Sequence, residues 1–267
     1  MGRVIAVITD FGYGVYVGQM KGVILGINPN AVIIDLAHDI GRQNVREGAF
    51  VLYHSYKYFP KETVFLCVVD PGVGGHRRAI AIETKNYFLV GPDNGLMYPV
   101  AEDDGFRRVV ELSNPRYMLP AVSRTFHGRD IFAPAAAYLS LGLEINELGC
   151  EIDPRDLVRL RFPKPRSSDR YIDGEVLYVD RFGNIITNIP DKLLYGIGVK
   201  LGDILSIEVA GKLLEIPFVK NYSSVEEGVT LCLIDSFNLL EISVNKGNAS
   251  KMLNVKEGDS VRIFKNT

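Results

Sequence analysis

The sequence contains no tryptophan, only three cysteines and almost no net charge. Cys67, Cys150 and Cys232 are widely spaced, with no CxxC pair, so neither a cysteine zinc site nor a disulfide scaffold is expected. Isolated thiols of this kind fit a reducing compartment. No run of about 18 apolar residues is present, so no transmembrane helix is expected. The opening MGRVIAVITDFG passes from a short apolar run straight to Asp10 without a cleavage region, unlike a secretory signal. The expectation is a cytoplasmic protein. Lys and Arg number 30 against 32 Asp and Glu, a formal charge of −2, which leaves no basic field for nucleic acid. Also missing are the GK[ST] of a phosphate-binding loop, the GxSxG of a serine hydrolase, and the HxH or HExxH spacing of a metal site.

What is present is an ordinary globular composition. The chain has 267 residues, 47% of them hydrophobic and 23% charged, a length that favours about two domains. RVIAVIT (3–9), AVIIDLA (31–37) and TVFLCVV (63–69) are near-continuous apolar runs, the pattern of strands buried on both faces. Between them, residues 15–27 and 44–59 read as helices, the second with Val45, Ala49, Leu52 and Tyr56 at helical spacing. RAIAIET and NYFLVG read as further strands around a turn at Lys85–Asn86, and residues 129–142 as a small-residue helix containing Pro134. This alternation predicts an α/β domain over residues 1–162, with a mostly parallel sheet and flanking helices. Pro163, Pro165, Ser167 and Ser168 mark residues 163–170 as a linker. Residues 171–267 carry short strand-like runs with turns between them, one at Ala210–Gly211, and predict a smaller all-β, barrel-like domain.

Ligands of parallel α/β sheets bind beyond the carboxyl ends of the strands. Here those ends read Thr9-Asp10-Phe11-Gly12, His38-Asp39 and Asp70-Pro71-Gly72-Val73-Gly74-Gly75. Any single strand-end Asp is commonly a cap or turn residue, but three at one edge point to a site. DPGVGGHRR (70–78) is the densest chemical stretch; its plainer reading is a tight loop with two exposed arginines. FHGRD (126–130) sets His127 beside a glycine at a helix start, while His54 reads as structural. A metal reading would join His38, Asp39, Asp70 and His127, without a supporting spacing. DRFGNIITN (180–188) reads either as a bulge held by Asn side chains or as amide and carboxylate groups facing a zwitterionic ligand.

Taken in order, TDFG, MKG (20–22), DPGVG with the arginine pair, PDNG (92–95), TFHGRD and FGNIITN resemble the S-adenosylmethionine (SAM) hydroxide adenosyltransferases, relatives of the fluorinases and chlorinases. The resemblance spans nearly the whole chain. It implies hydrolysis of SAM to adenosine and L-methionine, no cofactor, no metal, and a homotrimer with sites at subunit interfaces. It implies catalytic roles for Asp70, for one of Arg77 and Arg78, and for His127. It implies substrate contacts by Asp10 (ribose), Phe126, Asp180 (methionine ammonium), Asn184 and Tyr222 (around adenine) and Ser236 (near the methionine carboxylate). Two departures stand out: Tyr13-Gly14-Val15-Tyr16 replaces a segment that commonly carries an Asp, and no Trp is available near Gln43 to stack on a ligand.

The chemistry accounts for these residue types. The sulfonium leaves as a neutral thioether and needs no acid. Water attacking the ribose C5′ must be aligned and must lose a proton, which a carboxylate or imidazole can accept. A halide would need neither, so Asp70 and His127 favour hydrolysis over halogenation. An arginine beside a carboxylate makes it a poorer base, so two arrangements stay open. Either His127 is the base and Asp70 orients it, or Asp70 and the arginine act jointly on a water. A halogenase, a non-catalytic SAM or adenosine sensor, and a metal-dependent nucleotide hydrolase are the competing readings.

Overall fold

Apolar runs of the first half become the strands of one mixed sheet in the computed structural model, which describes residues 2–168 and 170–264. Asp169 of the expected linker and residues 265–267 of the expected C-terminal domain lie outside the described residues. The elements of the first half are β1 (Ile5–Thr9), α1 (Val15–Ile27), β2 (Ile33–Ala37), α2 (Val45–Ser55), β3 (Val64–Val68), β4 (Ala79–Thr84), β5 (Phe88–Pro92), α3 (Tyr98–Asp104), β6 (Phe106–Leu112), α4 (Ala133–Ser140) and β7 (Gly149–Glu151). The strand order is β2-β1-β3-β5-β4-β6-β7. Pairing is parallel from β2 through β1 and β3 to β5, and antiparallel from there on. The change falls at the Lys85–Asn86 turn, because so short a connection can return the chain only as a hairpin.

Continuous hydrophobicity in β1 and β3 follows from two covered faces. Ile5, Val7, Val64 and Leu66 pack with Met20 and Ile24 of α1 and with Ala133, Ala136 and Ala137 of α4. Ala6, Ile8, Phe65 and Cys67 face Leu52 and Tyr56 on the other side. Pro134 sits in the first turn of α4, where its missing N–H costs no helical hydrogen bond. β2 departs from the reading of a strand buried on both faces. It is the edge strand, and Ile34 is 40% exposed, since among the described residues only β1 pairs with it.

The second half contributes β8 (Arg166–Ser167), β9 (Tyr171–Val179), β10 (Ile185–Pro190), α5 (Asp191–Gly196), β11 (Ile204–Val209), β12 (Lys212–Pro217), β13 (Thr230–Ile234), β14 (Leu239–Val244), α6 (Ala249–Leu253) and β15 (Ser260–Phe264). All ladder pairs are antiparallel, in the order β12-β11-β15-β9-β10-β14-β13, with β8 added to β9. A bridge between Phe218 and Cys232 joins the two ends of that order, so the sheet nearly closes into a barrel. Its interior holds Ile172, Val176, Ile185, Leu205, Ile207, Ile242 and Ile263. Ala210 and Gly211 turn β11 into β12 with φ of 49° and 73°, the positive values a two-residue hairpin between right-twisted strands demands. The chain divides into two units, Met1–Arg161 and Phe162–Thr267.

Candidate active site

Thr9 lies opposite Val68 in the parallel β1–β3 ladder, so the chain segments carrying Asp10 and Asp70 leave the sheet at the same edge. The loop after Asp70 is closed by Val73 N–H donating to the Asp70 carbonyl (3.3 Å) and Gly75 N–H donating to Gly72 (3.0 Å). Gly74 has φ +73°, and a Cβ there would come within 2.1 Å of the Arg124 carbonyl oxygen. The loop backbone therefore lies close against the segment leading into His127, with no room for a side chain at Gly74. The His127 side is set by a short π-helical turn, Gly128–Phe132, ahead of α4. A Cβ on Gly128 would sit 3.1 Å from Val68 and 3.2 Å from Phe126, so a bare glycine lets this turn close on β3.

These loops converge on one guanidinium. Arg77 Nε donates to both Asp70 oxygens (3.0 and 3.1 Å), and Arg77 Nη2 donates to Asp70 Oδ2 at 2.5 Å. Nη2 also donates to His127 Nδ1 at 2.8 Å. The order is therefore Asp70–Arg77–His127, with arginine in the middle. The Arg77 and Asp70 side chains are only 11% and 5% exposed, and the guanidinium carbon lies 5.3 Å from the centre of the Phe132 ring. Burial, and then the charge of Arg77, hold the His127 pKa below its ordinary value. A neutral ring that accepts at Nδ1 carries its proton on Nε2. Asp70 does not orient His127, because the guanidinium stands between them.

Arg78 is directed elsewhere. It donates to Asp93 Oδ2 from Nε (3.0 Å) and Nη2 (2.7 Å), and also to the Asp156 carbonyl. Asp93 in turn accepts from Val158 N–H at 2.9 Å. Of the two arginines named from the sequence, Arg77 joins Asp70 and His127, and Arg78 fastens the 153–158 segment to the PDNG turn. Alternation along the chain into β4 separates them. The metal grouping named from the sequence does not form either. The ring of His38 is bonded to Thr9 and Asp35, while Asp70 is bonded to Arg77. No group of three His, Cys, Asp or Glu suited to a metal occurs among the described residues.

Asp10 is half-buried and accepts from Gln43 N–H at 2.8 Å. Phe126 is buried and meets Phe11 (5.8 Å between ring centres) and Tyr16 (5.2 Å), with Arg129 at 5.2 Å over its face. Phe11, Tyr16 and Phe126 thus form one aromatic cluster. His54 packs on Phe50 and Tyr53, as its helical position implied.

The second unit gathers the remaining predicted residues around Tyr222. Asp180 accepts from Phe182 N–H, Asn184 N–H and the Asn184 side-chain amide, each at 2.9 Å. Asp180, Tyr222 and Ser236 line a cavity of about 430 Å³. Asp180, Asn184 and Tyr222 also line a neighbouring one of about 570 Å³. Two carboxylates not singled out in the sequence share the first cavity, Asp235 and Glu241. Glu241 accepts from Tyr222 Oη (2.8 Å) and Ser243 Oγ (2.5 Å). Burial raises the pKa of both carboxyls, and burial followed by Glu241 raises that of the Tyr222 phenol. The signal for Glu241 was legible: an acid in the middle of the apolar run LLEISV.

The chain matches the description "SAM hydroxide adenosyltransferase N-terminal domain" over residues 5–149 and "SAM hydroxide adenosyltransferase C-terminal domain" over residues 174–262. It is 40% identical to an (R)-S-adenosyl-L-methionine hydrolase from Methanocaldococcus jannaschii, over 98% of this chain and 95% of that one. A fluorinase from Actinoplanes sp. is more distant, 28% identical over 93% of both chains. The crystal structure of an uncharacterized conserved protein from Thermotoga maritima superimposes with a TM-score of 0.91 at 42% identity, covering 97% of this chain and 99% of that one.

Proposed function

The chain belongs to the SAM hydroxide adenosyltransferase family, and from that premise we propose that it hydrolyses S-adenosyl-L-methionine to adenosine and L-methionine. The observation that carries this reading is the hydrogen-bonded set Asp70–Arg77–His127. In the proposed reaction a water oxygen attacks the ribose C5′ as the C5′–S bond breaks. The bonding pair stays on sulfur, which leaves as the neutral thioether of methionine. The proton of the attacking water passes to Asp70 and then to solvent.

Arg77 is the hub of the proposed site. Its Nε and Nη2 are occupied by Asp70 and His127, so Nη1 is the donor that holds the water or hydroxide oxygen. Asp70 and His127 fix the plane of the guanidinium from two sides, a preorganised arrangement for holding a water that becomes hydroxide-like as its proton leaves. This geometry supports joint action of Asp70 and Arg77 on the water. It does not support a base at His127 Nδ1, whose lone pair is already engaged. A halide nucleophile would have no proton to give up, so the carboxylate favours hydrolysis over halogenation. Asp180, Asn184, Tyr222 and Ser236 support a second half-site for the adenine and amino-acid ends, with Asp180 meeting the ammonium. Asp10 meets the ribose hydroxyls. The enzyme needs no metal or cofactor in this reading, and it works as a cytoplasmic homotrimer in which neighbouring subunits complete each other's sites.

The test is incubation with SAM in chloride-free, EDTA-treated buffer, followed by chromatography. Adenosine and methionine appearing in equal amounts support the proposal. SAM binding without turnover would leave a sensor, turnover only with halide a halogenase, and loss of activity with EDTA a metal-dependent hydrolase.

A further inference from the structure

A chain of polar side chains runs from the partly exposed Lys21–Asp35 pair to the buried His38 and Thr9 beneath the TDFG turn, and the proposed reaction does not use it. Lys21 Nζ donates to Asp35 Oδ2 (2.7 Å). Asp35 Oδ1 lies 2.9 Å from His38 Nε2, and His38 Nδ1 lies 2.9 Å from Thr9 Oγ1. Thr9 Oγ1 accepts from Phe11 N–H at 3.3 Å. The members come from α1, β2, the end of β2 and the end of β1, and Lys21 is the centre of the MKG motif.

In a neutral imidazole, the Asp35 carboxylate, which can only accept, places the hydrogen on His38 Nε2 and leaves Nδ1 as the acceptor. Thr9 Oγ1 therefore donates to His38, which leaves its lone pairs for Phe11 N–H. His38 and Thr9 are fully buried. The carbonyl of His38 also accepts from Gly12 N–H at 2.6 Å, and the Tyr13 ring stands edge-on to the imidazole at 5.2 Å. The turn is thus held at Thr9, Phe11, Gly12 and Tyr13, that is, on both sides of Asp10.

We infer that Lys21, Asp35, His38 and Thr9 form a positioning relay that presets the Asp10 carboxylate for the ribose hydroxyls. The inference rests on the reading that Asp10 meets the ribose. A turn fixed before binding spares the ligand the cost of ordering it. The relay acts on binding and stands apart from the Arg77 cluster, so its loss belongs in KM and leaves kcat in place.

Thr9→Val keeps the shape of the side chain and removes its hydroxyl, and Thr9→Ser restores the hydroxyl. Thr9→Val is expected to raise KM for SAM and the calorimetric Kd for adenosine by about 10-fold with kcat held within about twofold, the scale of one lost buried hydrogen bond with its partner left unpaired. Thr9→Ser is expected to return both constants close to the parent values. Asp10→Ala is the control for the underlying reading. If Asp10→Ala weakens adenosine binding but Thr9→Val does not, the relay is overturned and the ribose contact stands. If Thr9→Val lowers Tm and kcat with KM unchanged, the chain is a structural brace and the inference fails. If Asp10→Ala leaves adenosine affinity unchanged, the ribose reading falls and the relay with it.

Discussion

Arg77 and Arg78 are neighbours in sequence with opposite duties. Arg77 answers to Asp70 and His127, whereas Arg78 answers to Asp93, whose side chain is only 4% exposed. Arg77→Lys would keep the charge but lose the planar fork that binds a carboxylate at two points while donating to an imidazole. Together with Asp70→Asn, it is expected to lower kcat by roughly 10²–10⁴-fold with a much smaller change in KM. Arg78→Gln is expected to keep kcat close to the parent and instead to destabilise the fold by about 1–3 kcal/mol, because it leaves the buried Asp93 short of a partner. Steady-state kinetics and denaturant titration separate the two outcomes. If Arg78→Gln abolishes turnover while Arg77→Lys does not, the assignment is reversed.

His54 supplies a prediction about pH. Burial, and then the charge of Lys57, bring its pKa from 6.5 down to about 4. The unfolded chain therefore binds a proton that the folded chain refuses between those two values, and stability falls as pH drops through that window. His127, also lowered, adds to the same slope. His54→Leu is expected to flatten the dependence of Tm on pH between 6.5 and about 4. An unchanged slope would show that His54 is not the group responsible.

At the scale of elements, the site depends on how closely the 70–78 loop lies against the segment before His127. Gly74→Ala places a methyl group against the Arg124 carbonyl in a backbone conformation that already disfavours a side chain. The expected result is loss of turnover exceeding the loss of stability, read by comparing kcat with Tm. A fall in Tm with kcat intact would show that the loop tolerates displacement. The elements themselves were legible in the chain because periodicity reports burial. Residues 15–27 form α1 as read, and Ala210–Gly211 turn a hairpin. β2 was misjudged because an apolar run reports a preference for burial and does not say whether a neighbour covers it. The choice between Arg77 and Arg78 was also closed to the sequence. Alternation says that the two point apart, and only the partners Asp70 and Asp93 say which way. The relay below TDFG was hidden for a similar reason: Thr9, Lys21, Asp35 and His38 are scattered in sequence and meet only through the β2–β1 pairing.

For the whole molecule, the candidate residues fall into two groups, one in each unit. Asp10, Asp70, Arg77 and His127 belong to Met1–Arg161, and Asp180, Asn184, Tyr222 and Ser236 to Phe162–Thr267. The proposed trimer predicts complementation. Asp70→Asn and Asp180→Ala subunits, each poorly active alone, are expected to regain activity when mixed and reassembled, since some interfaces then pair two intact halves. Sedimentation equilibrium checks the trimer directly. A monomer with full activity would contradict shared sites. Tyr13 before α1, Val15 and Tyr16 in its first turn and Ile34 on β2 are exposed.

The central claim is that water is the nucleophile at C5′, and turnover of SAM in H₂¹⁸O tests it most directly. Mass spectrometry of the products is expected to find the label in the 5′-oxygen of adenosine, with methionine unlabelled and released in equal amount. Adenosine formed without label would mean that the oxygen came from elsewhere, and the roles given to Asp70 and Arg77 would be wrong.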